Sequence, residues 1–291
     1  MRGASVLEEA RTGLLCRGSR KGGYLMEVDK SRCVGCGNCI PWCTMGAIYI
    51  GGDGKAEVNQ EECVECQNCY RSLRNEGYHP LLVRALRRVL SLFRLVYDAD
   101  VDVCPTGALT PPELDWPRVL RRHFSDPAAI HPSTGGSGRG TEEIKTNDVT
   151  GRIGEGEAGL VVELGRPGTG AHFRDVERVS TQLAALGVHF EERNPVTALM
   201  VDVASGKLRP EVLEEKVLSA IIECKVELMR VPVVLRAIDE VSREVDTVLS
   251  LGIACRCGPG GRTTYESLVE GVGFTLSPNG KINLGLGRRN D

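Results

Sequence analysis

Apolar and polar residues alternate in several short stretches in the second half of the chain, a pattern typical of half-buried strands. Strands are predicted over 159–165, 188–192, 217–228 and 246–257. Apolar residues recur at helical spacing over 172–187 and 231–245, which predicts two amphipathic helices. One more strand and a hairpin are indicated around Ser205 and Gly206. Two strand-helix-strand units of this kind predict an α+β sandwich over residues 158–291, with its helices on one face of an antiparallel sheet.

Composition excludes several classes of protein. The 291 residues include 36 basic and 39 acidic side chains, so we expect no nucleic-acid partner. No apolar run reaches the roughly 18 residues of a membrane-spanning helix, and Glu8 and Glu9 stand where a signal peptide would be apolar. We therefore expect a cytoplasmic protein without a membrane span. Its 12 cysteines are many for a reducing compartment, where disulfides rarely persist, so the thiols need another role.

Eight of these cysteines lie between residues 33 and 104. They form the runs Cys33-x2-Cys36-x2-Cys39-x3-Cys43 and Cys63-x2-Cys66-x2-Cys69, followed by Cys104 in the string CPTGAL. Zinc ribbons use two CxxC pairs, whereas three cysteines at two-residue spacing can bind three corners of a cubane iron-sulfur cluster and take the fourth ligand from a distant cysteine. The spacing favours clusters, and zinc ribbons remain the alternative.

Residues 24–112 resemble the bacterial-type ferredoxins that carry two [4Fe-4S] clusters. The resemblance rests on these runs and on the repeated strings YLMEVDKSRCVGC and KAEVNQEECVEC. In that family the fourth cysteine of each run serves the other cluster. The resemblance implies two [4Fe-4S] clusters as cofactors, one bound by Cys33, Cys36, Cys39 and Cys104 and the other by Cys63, Cys66, Cys69 and Cys43.

The sequence departs from this family at two points. Thr44 follows Cys43 where the family usually has proline, and residues 70–103 separate Cys69 from Cys104 where the family has about three residues. The string CPTGAL is so similar to the closing motif of the family that Cys104 keeps its implied role. We therefore expect residues 70–103 to be an insert in the ferredoxin domain.

Part of this insert, residues 81–97, has the pattern of an amphipathic helix. Apolar residues occupy positions 82, 86, 89, 90, 93 and 96, and the other side carries Arg84, Arg87, Arg88 and Arg94. One interpretation is a helix laid over the ferredoxin domain with its basic face in solvent. A second makes the arginines a docking patch for an acidic electron carrier, and a third is attachment to a membrane surface.

The glycine-rich segment 131–151 is either a linker or a loop that contacts substrate or lies between domains. Its candidate catalytic residues are His131, as a proton donor, and Arg139 and Lys145, as contacts to an anionic substrate group. The strings HPSTGGSGRGTEEIKTNDVTGR, ELGRPGTGAHFRDVE and NGKINLGLGR resemble those of 6-hydroxynicotinate reductases, iron-sulfur enzymes that reduce a hydroxylated pyridine ring with electrons from ferredoxin. This resemblance implies a small ring substrate with a carboxylate, which Arg139, Lys145 or Arg166 could bind. The role of this segment stays open.

Four further cysteines lie outside the two runs, at Cys16, Cys224, Cys255 and Cys257. A third metal site at Cys255 and Cys257 is one alternative, and a core position for these thiols is the other. We expect Cys16 and Cys224 to be free thiols.

Taken together, the sequence predicts an α+β protein with an N-terminal extension (1–23), a dicluster ferredoxin domain with a helical insert (24–112), a linker (113–157) and a ferredoxin-like α+β sandwich (158–291). The predicted function is that of an iron-sulfur electron-transfer protein or subunit that passes low-potential electrons to a redox partner protein. The alternative is a ferredoxin-dependent reductase that acts on CH-CH bonds of a heteroaromatic acid. A purely structural role for the clusters is disfavoured, because duplicated interleaved sites exceed what stabilising the fold requires.

Overall fold

The computed structural model describes residues 25–96, 100–137, 151–257 and 265–277. Contacts divide the chain into two units, of which the first ends at Pro127 and the second begins at Ala128. Helices and strands are mixed in both units. Within the ranges described, no helix has the length and apolar content needed to cross a membrane.

The first unit contains six very short strands, which pair two by two. Strands β1 (Glu27–Val28) and β6 (Leu109–Thr110) are antiparallel, as are β2 (Ile48–Ile50) and β3 (Ala56–Val58); β4 (Arg74–Asn75) and β5 (Val103–Cys104) are parallel. Its helices are α1 (Asn68–Arg71), α2 (Pro80–Leu92) and α3 (Val119–Ser125). The core between them combines aliphatic side chains with cysteines from both sequence runs. The strands therefore frame the cysteine loops.

Helix α2 confirms the helix predicted over residues 81–97 but ends five residues before the predicted position 97. It begins at Pro80, a residue favoured in the first helical turn, and the His79 ring accepts the Leu81 N–H. At its other end Arg94 adopts φ 57°, and the Leu95 N–H bonds to the carbonyl of Leu90. This left-handed C-terminal motif reverses the chain and stops the helix, although the apolar pattern continues.

The second unit is built on a four-stranded antiparallel sheet. Its strands occur in the chain as β7 (Glu157–Leu164), β9 (His189–Phe190), β13 (Ala220–Glu227) and β14 (Leu249–Cys255), and in space as β14-β7-β13-β9. Helix α4 (Phe173–Ala185) connects the first two of these strands, and helix α5 (Val231–Ser242) connects the last two. The two helices pack on each other, and α4 also contacts β13.

Two smaller strand pairs accompany this sheet. Strand β8 (Ala171–His172) pairs with β12 (Lys216–Val217), and β10 (Met200–Asp202) forms a hairpin with β11 (Lys207–Leu208). A short helix, α6 (Tyr265–Glu270), follows the sheet. The hairpin predicted around Ser205 and Gly206 is confirmed. Each predicted strand of the sheet and each predicted helix of this unit is confirmed, with its ends within three residues of the predicted bounds.

Candidate metal centre

The eight clustered cysteines line two separate recesses in the first unit. Recess 1 has a volume of about 360 Å³, part of it open to solvent, and its cysteines are Cys33, Cys36, Cys39 and Cys104. Recess 2 has a volume of about 340 Å³ and its cysteines are Cys43, Cys63, Cys66 and Cys69. Each recess thus combines three cysteines of one motif with a fourth cysteine from elsewhere in the chain.

In each recess the cysteines line an open space, and their side chains do not converge on a single metal-ion position. Among the described residues, no three His, Cys, Asp or Glu side chains come together as ligands of one metal ion. Four thiols that line one recess without converging on a point fit a group larger than a single ion, since a single tetrahedral zinc needs sulfurs about 2.3 Å from its centre. Thiols are also the ligand type that iron-sulfur clusters use. The donor set therefore fits [4Fe-4S] clusters.

Each sequence run begins with the same turn. Asp29 Oδ1 accepts the N–H of Ser31 at 2.8 Å, and the Asp29 carbonyl accepts the N–H of Cys33, also at 2.8 Å. Asn59 repeats this geometry: its side-chain oxygen accepts a backbone N–H two residues on, and its carbonyl accepts the N–H of Cys63 at 3.0 Å. Neither residue was among the predicted site residues, although an Asx residue four positions before the first cysteine of each run was a visible signal.

The distant cysteines share a second repeated feature. Cys43 Sγ accepts the N–H of Ala47 at 3.1 Å, and Cys104 Sγ accepts the N–H of Ala108 at 3.3 Å. A glycine with positive φ precedes each of these alanines. In addition, Cys33 Sγ accepts the Ala56 N–H at 3.4 Å. Backbone hydrogen bonds to sulfur stabilise negative charge at a thiolate, so they suit ligands of an iron-sulfur cluster.

The strand that carries Cys104 is tied to the first cysteine loop. The Asn38 amide, which is buried between Gly37 and Cys39, donates to the carbonyl of Asp100 at 3.0 Å and to that of Val103 at 2.9 Å. The other side of β5 pairs with β4, where Asn75 lies opposite Cys104. These contacts explain how Cys104, separated from Cys69 by 34 residues, lies beside the first run.

The basic side of α2 faces the loop of recess 1, so the predicted solvent-exposed basic face is wrong for two of its arginines. Arg84 Nη2 donates to the carbonyls of Ser31 and Cys33 at 2.6 and 3.0 Å, and Arg87 Nη2 donates to the carbonyl of Gly35 at 3.4 Å. The apolar side is exposed instead; Leu82, for example, is 71 % exposed. The physical reason is that backbone carbonyls of the loop offer acceptors that guanidinium groups satisfy, so the arginines lie inward.

Arginines at the start of helix α3 hold the loop of recess 2 in the same way. Arg121 Nη1 donates to the carbonyls of Gln60, Glu61 and Cys63 at 3.1, 3.1 and 2.8 Å. Arg118 forms an ion pair with the fully buried carboxylate of Glu65, with Nη2 to Oε1 at 2.7 Å. Glu65 lies inside the Cys63–Cys66 turn and lines recess 2. Both recesses are therefore clamped by guanidinium groups from outside the cysteine runs.

Burial raises the pKa of several of these thiols. The pKa of Cys39 and that of Cys63 both rise to about 12, mainly because burial disfavours the thiolate and secondarily because of nearby negative groups. Burial likewise raises the pKa of Cys36, and the nearby Arg87 charge is one of the effects that oppose this rise. Since metal ligation requires thiolates, assembly of a cluster here releases protons.

Three of the remaining sequence candidates, Arg139, Lys145 and Cys16, lie outside the described residues. The His131 side chain is buried, 4 % exposed, and its Nδ1 hydrogen bonds with the Ser133 hydroxyl at 2.8 Å. The Arg166 guanidinium pairs with Glu163 at 3.0 Å.

The other three thiols belong to the second unit. Cys224 is buried in β13, where burial raises its pKa to about 12. Cys255 ends β14, and Cys257 is exposed just beyond it. None of these residues lines either recess.

Comparison with protein families gives a match over residues 25–72 to the model of the 4Fe-4S dicluster domain. The match spans 48 of the 291 residues (72 − 25 + 1) and includes every cysteine of the two recesses except Cys104. Neither the curated proteins nor the solved structures contain a match to the chain. The N-terminal part of the chain therefore contains a 4Fe-4S dicluster domain, an iron-sulfur module of electron transfer that is consistent with the predicted pair of [4Fe-4S] clusters.

Proposed function

We propose that this chain is an electron-transfer protein, or a subunit with that role, which passes low-potential electrons through two [4Fe-4S] clusters to a redox partner protein. The observation that carries the proposal is the crosswise sharing of cysteines between two recesses. A single stabilising metal needs no such duplication.

The proposed ligands are the four cysteines of each recess. Cys33, Cys36, Cys39 and Cys104 bind one cluster, and Cys63, Cys66, Cys69 and Cys43 bind the other. Support comes from the N–H···S hydrogen bonds at Cys33, Cys43 and Cys104, which hold sulfurs that would each carry negative charge. The 4Fe-4S clusters supply the ability to take up and release one electron each with little nuclear rearrangement.

Electron transfer between the two sites needs them to be close. Cysteines from both recesses belong to one apolar core, which contains Cys33, Cys39, Cys69 and Cys104 and packs against Cys43 and Cys63. The Cys39 thiol is near enough to Cys69 to raise the pKa of the latter, after the larger effects of burial and of the other thiols of recess 2. The apolar wall also limits water around the clusters, which affects their potentials.

We further infer that residues 70–103 form a helical insert within a domain of residues 24–112, and that residues 158–291 form a ferredoxin-like sandwich after a linker. The element order β-α-β-β-α-β and the sheet order β14-β7-β13-β9 support the second assignment. Because this fold hosts many unrelated activities, it carries no chemistry by itself. We assign to it docking of the redox partner.

Three variants test the proposal on the full-length chain. Cys36→Ser removes a ligand proposed for recess 1 and Cys66→Ser one proposed for recess 2, so each should lose roughly half of the iron and one of two reducible centres. Cys257→Ser is the matched control, since this thiol is exposed and lines neither recess. Equal iron in all three variants would refute the ligand assignment.

The alternative function, reduction of a heteroaromatic acid, stays a prediction. Its proposed anion contacts Arg139 and Lys145 lie outside the described residues, and Arg166 is occupied by Glu163. Among the residues described, none favours this reaction over electron transfer.

A further inference from the structure

A guanidinium nitrogen next to recess 1 has no hydrogen-bond acceptor among the described residues. Arg87 Nη1 is buried and unpartnered, while its Nη2 reaches the carbonyl of Gly35, the residue before Cys36. A buried N–H without an acceptor is costly and indicates a missing one. The sulfur-rich group proposed for recess 1 is an acceptor of this kind, and Arg87 would place a positive charge beside it.

Recess 2 has the opposite feature. The Glu65 carboxylate is fully buried and lines the recess. Its Oε1 accepts from Arg118, but its Oε2 is buried and has no hydrogen-bond donor among the described residues. Glu65 also raises the pKa of the Cys63 thiol, although less than burial does. A partly compensated negative charge therefore lies beside recess 2.

We propose that Arg87 raises the reduction potential of the cluster in recess 1 and that Glu65 lowers that of the cluster in recess 2, so that electrons pass from recess 2 to recess 1. This inference rests on the proposed function. A cluster bound by four thiolates is negatively charged, and reduction adds one electron without forming or breaking a bond. Nearby positive charge therefore favours the reduced form, and nearby negative charge disfavours it.

The direction makes recess 1 the end at which electrons leave. Helix α2 covers the loop of this recess through Arg84 and Arg87, so the insert lies at the exit. The insert thus supplies a positive charge that the cysteine runs themselves lack.

The test is a potentiometric titration of the full-length protein with dithionite, monitored by EPR, in which each cluster gives one reduction step. Arg87→Gln should lower the equilibrium constant for one step about tenfold, which is about 59 mV for a one-electron couple, and leave the other step unchanged. Glu65→Gln should raise the equilibrium constant of the other reduction step, by a smaller factor of about threefold. The factor is smaller because Arg118 already offsets part of the Glu65 charge. Arg88→Gln is the matched control, since Arg88 is the adjacent exposed arginine on the same helix.

The inference would be overturned if Arg87→Gln left both reduction potentials unchanged, or shifted one by no more than Arg88→Gln does. It would also be overturned if Arg87→Gln and Glu65→Gln shifted the potential of the same reduction step. If the Arg87→Gln protein loses iron, wild-type protein with ¹⁵N-labelled arginine provides the test instead. The electron spin-echo spectrum of the reduced protein must show an arginine nitrogen coupled to a cluster, and absence of that coupling contradicts the inference. Wild-type protein without iron-sulfur clusters would instead refute the proposed function, so the two failures are distinguishable.

Discussion

Removing Arg118 should destabilise the first unit strongly, because it strands a buried charge. Arg118 donates to Glu65 Oε1 from Nε at 3.0 Å and from Nη2 at 2.7 Å, while the Glu65 side chain is 0 % exposed. The only other donor to this oxygen in the part of the chain that the structure describes is the Met26 N–H, at 3.4 Å. Breaking a buried ion pair from one side costs about 3–5 kcal/mol. At about 3 °C per kcal/mol for a unit of this size, Arg118→Ala should lower the melting temperature by roughly 10–15 °C.

The matched control is Arg74→Ala. Arg74 also pairs with a carboxylate, that of Asp102 at 3.2 Å, but its side chain is 63 % exposed. Exposed pairs contribute about 0.2–1 kcal/mol, so this variant should shift the melting temperature by no more than about 3 °C. A double variant, Arg118→Ala with Glu65→Ala, removes the stranded charge and should recover at least half of the loss.

The assay is anaerobic thermal denaturation at a fixed scan rate, followed by visible absorption of the clusters and by far-UV circular dichroism. A fixed rate is necessary because cluster loss makes unfolding irreversible. A shift of Arg118→Ala equal to that of Arg74→Ala would refute the reasoning. So would a double variant less stable than Arg118→Ala alone.

Three further predictions concern the loops and the reaction. Gly35→Ala should abolish cluster binding in recess 1, because Gly35 has φ 66° and a Cβ there would lie 2.0 Å from the carbonyl oxygen of Gly54. Gly52→Ala is the control: the space around Gly52 is open, so this variant should retain the full iron content. Asn38→Leu should release the strand that carries Cys104 and lower stability by about 1–3 kcal/mol, because two hydrogen bonds are lost and the buried carbonyl of Val103 is left unsatisfied; hydrogen exchange of that strand measures this, and unchanged protection would count against it. Dithionite-reduced protein mixed with 6-hydroxynicotinate should stay reduced for lack of a partner; reoxidation in the absence of any other protein would instead support the reductase alternative.

Much of the second unit could be predicted from periodicity alone. Buried strands such as β7 and β13 have long apolar runs, and the helices between strands show apolar residues at helical spacing, so both element types are visible locally. The predicted strand over 217–228 is nevertheless interrupted: Val217 pairs within β12, and β13 begins only at Ala220. Pairing with different partner strands creates this break, and no local pattern encodes it.

The orientation of α2 could not be predicted in this way. Periodicity indicates that the helix has two different sides but not which side meets the rest of the protein. The acceptors of Arg84 lie 51 and 53 residues earlier in the chain, at Cys33 and Ser31. A local pattern contains no information on such distant carbonyls, so the hydrophobic side was assigned to the interior by default.

Most of the candidate site could be predicted from the sequence, because the spacing of the cysteines indicates how they are arranged as ligands. The arginines that hold the cysteine loops could not be predicted. Arg121 reaches three carbonyls of one loop, those of Gln60, Glu61 and Cys63, from a helix about 60 residues away, and nothing in its sequence context marks it. Asp29 and Asn59 were different, since each stands at the same distance before its cysteine run and the repeat could have been recognised.

The central claim is that the chain holds two iron-sulfur clusters, and metal and sulfide analysis of anaerobically purified protein tests it most directly. We predict about eight iron and eight acid-labile sulfide per chain, with a broad visible absorption that dithionite bleaches. One or two zinc per chain, without sulfide and without absorption that dithionite bleaches, would contradict the account.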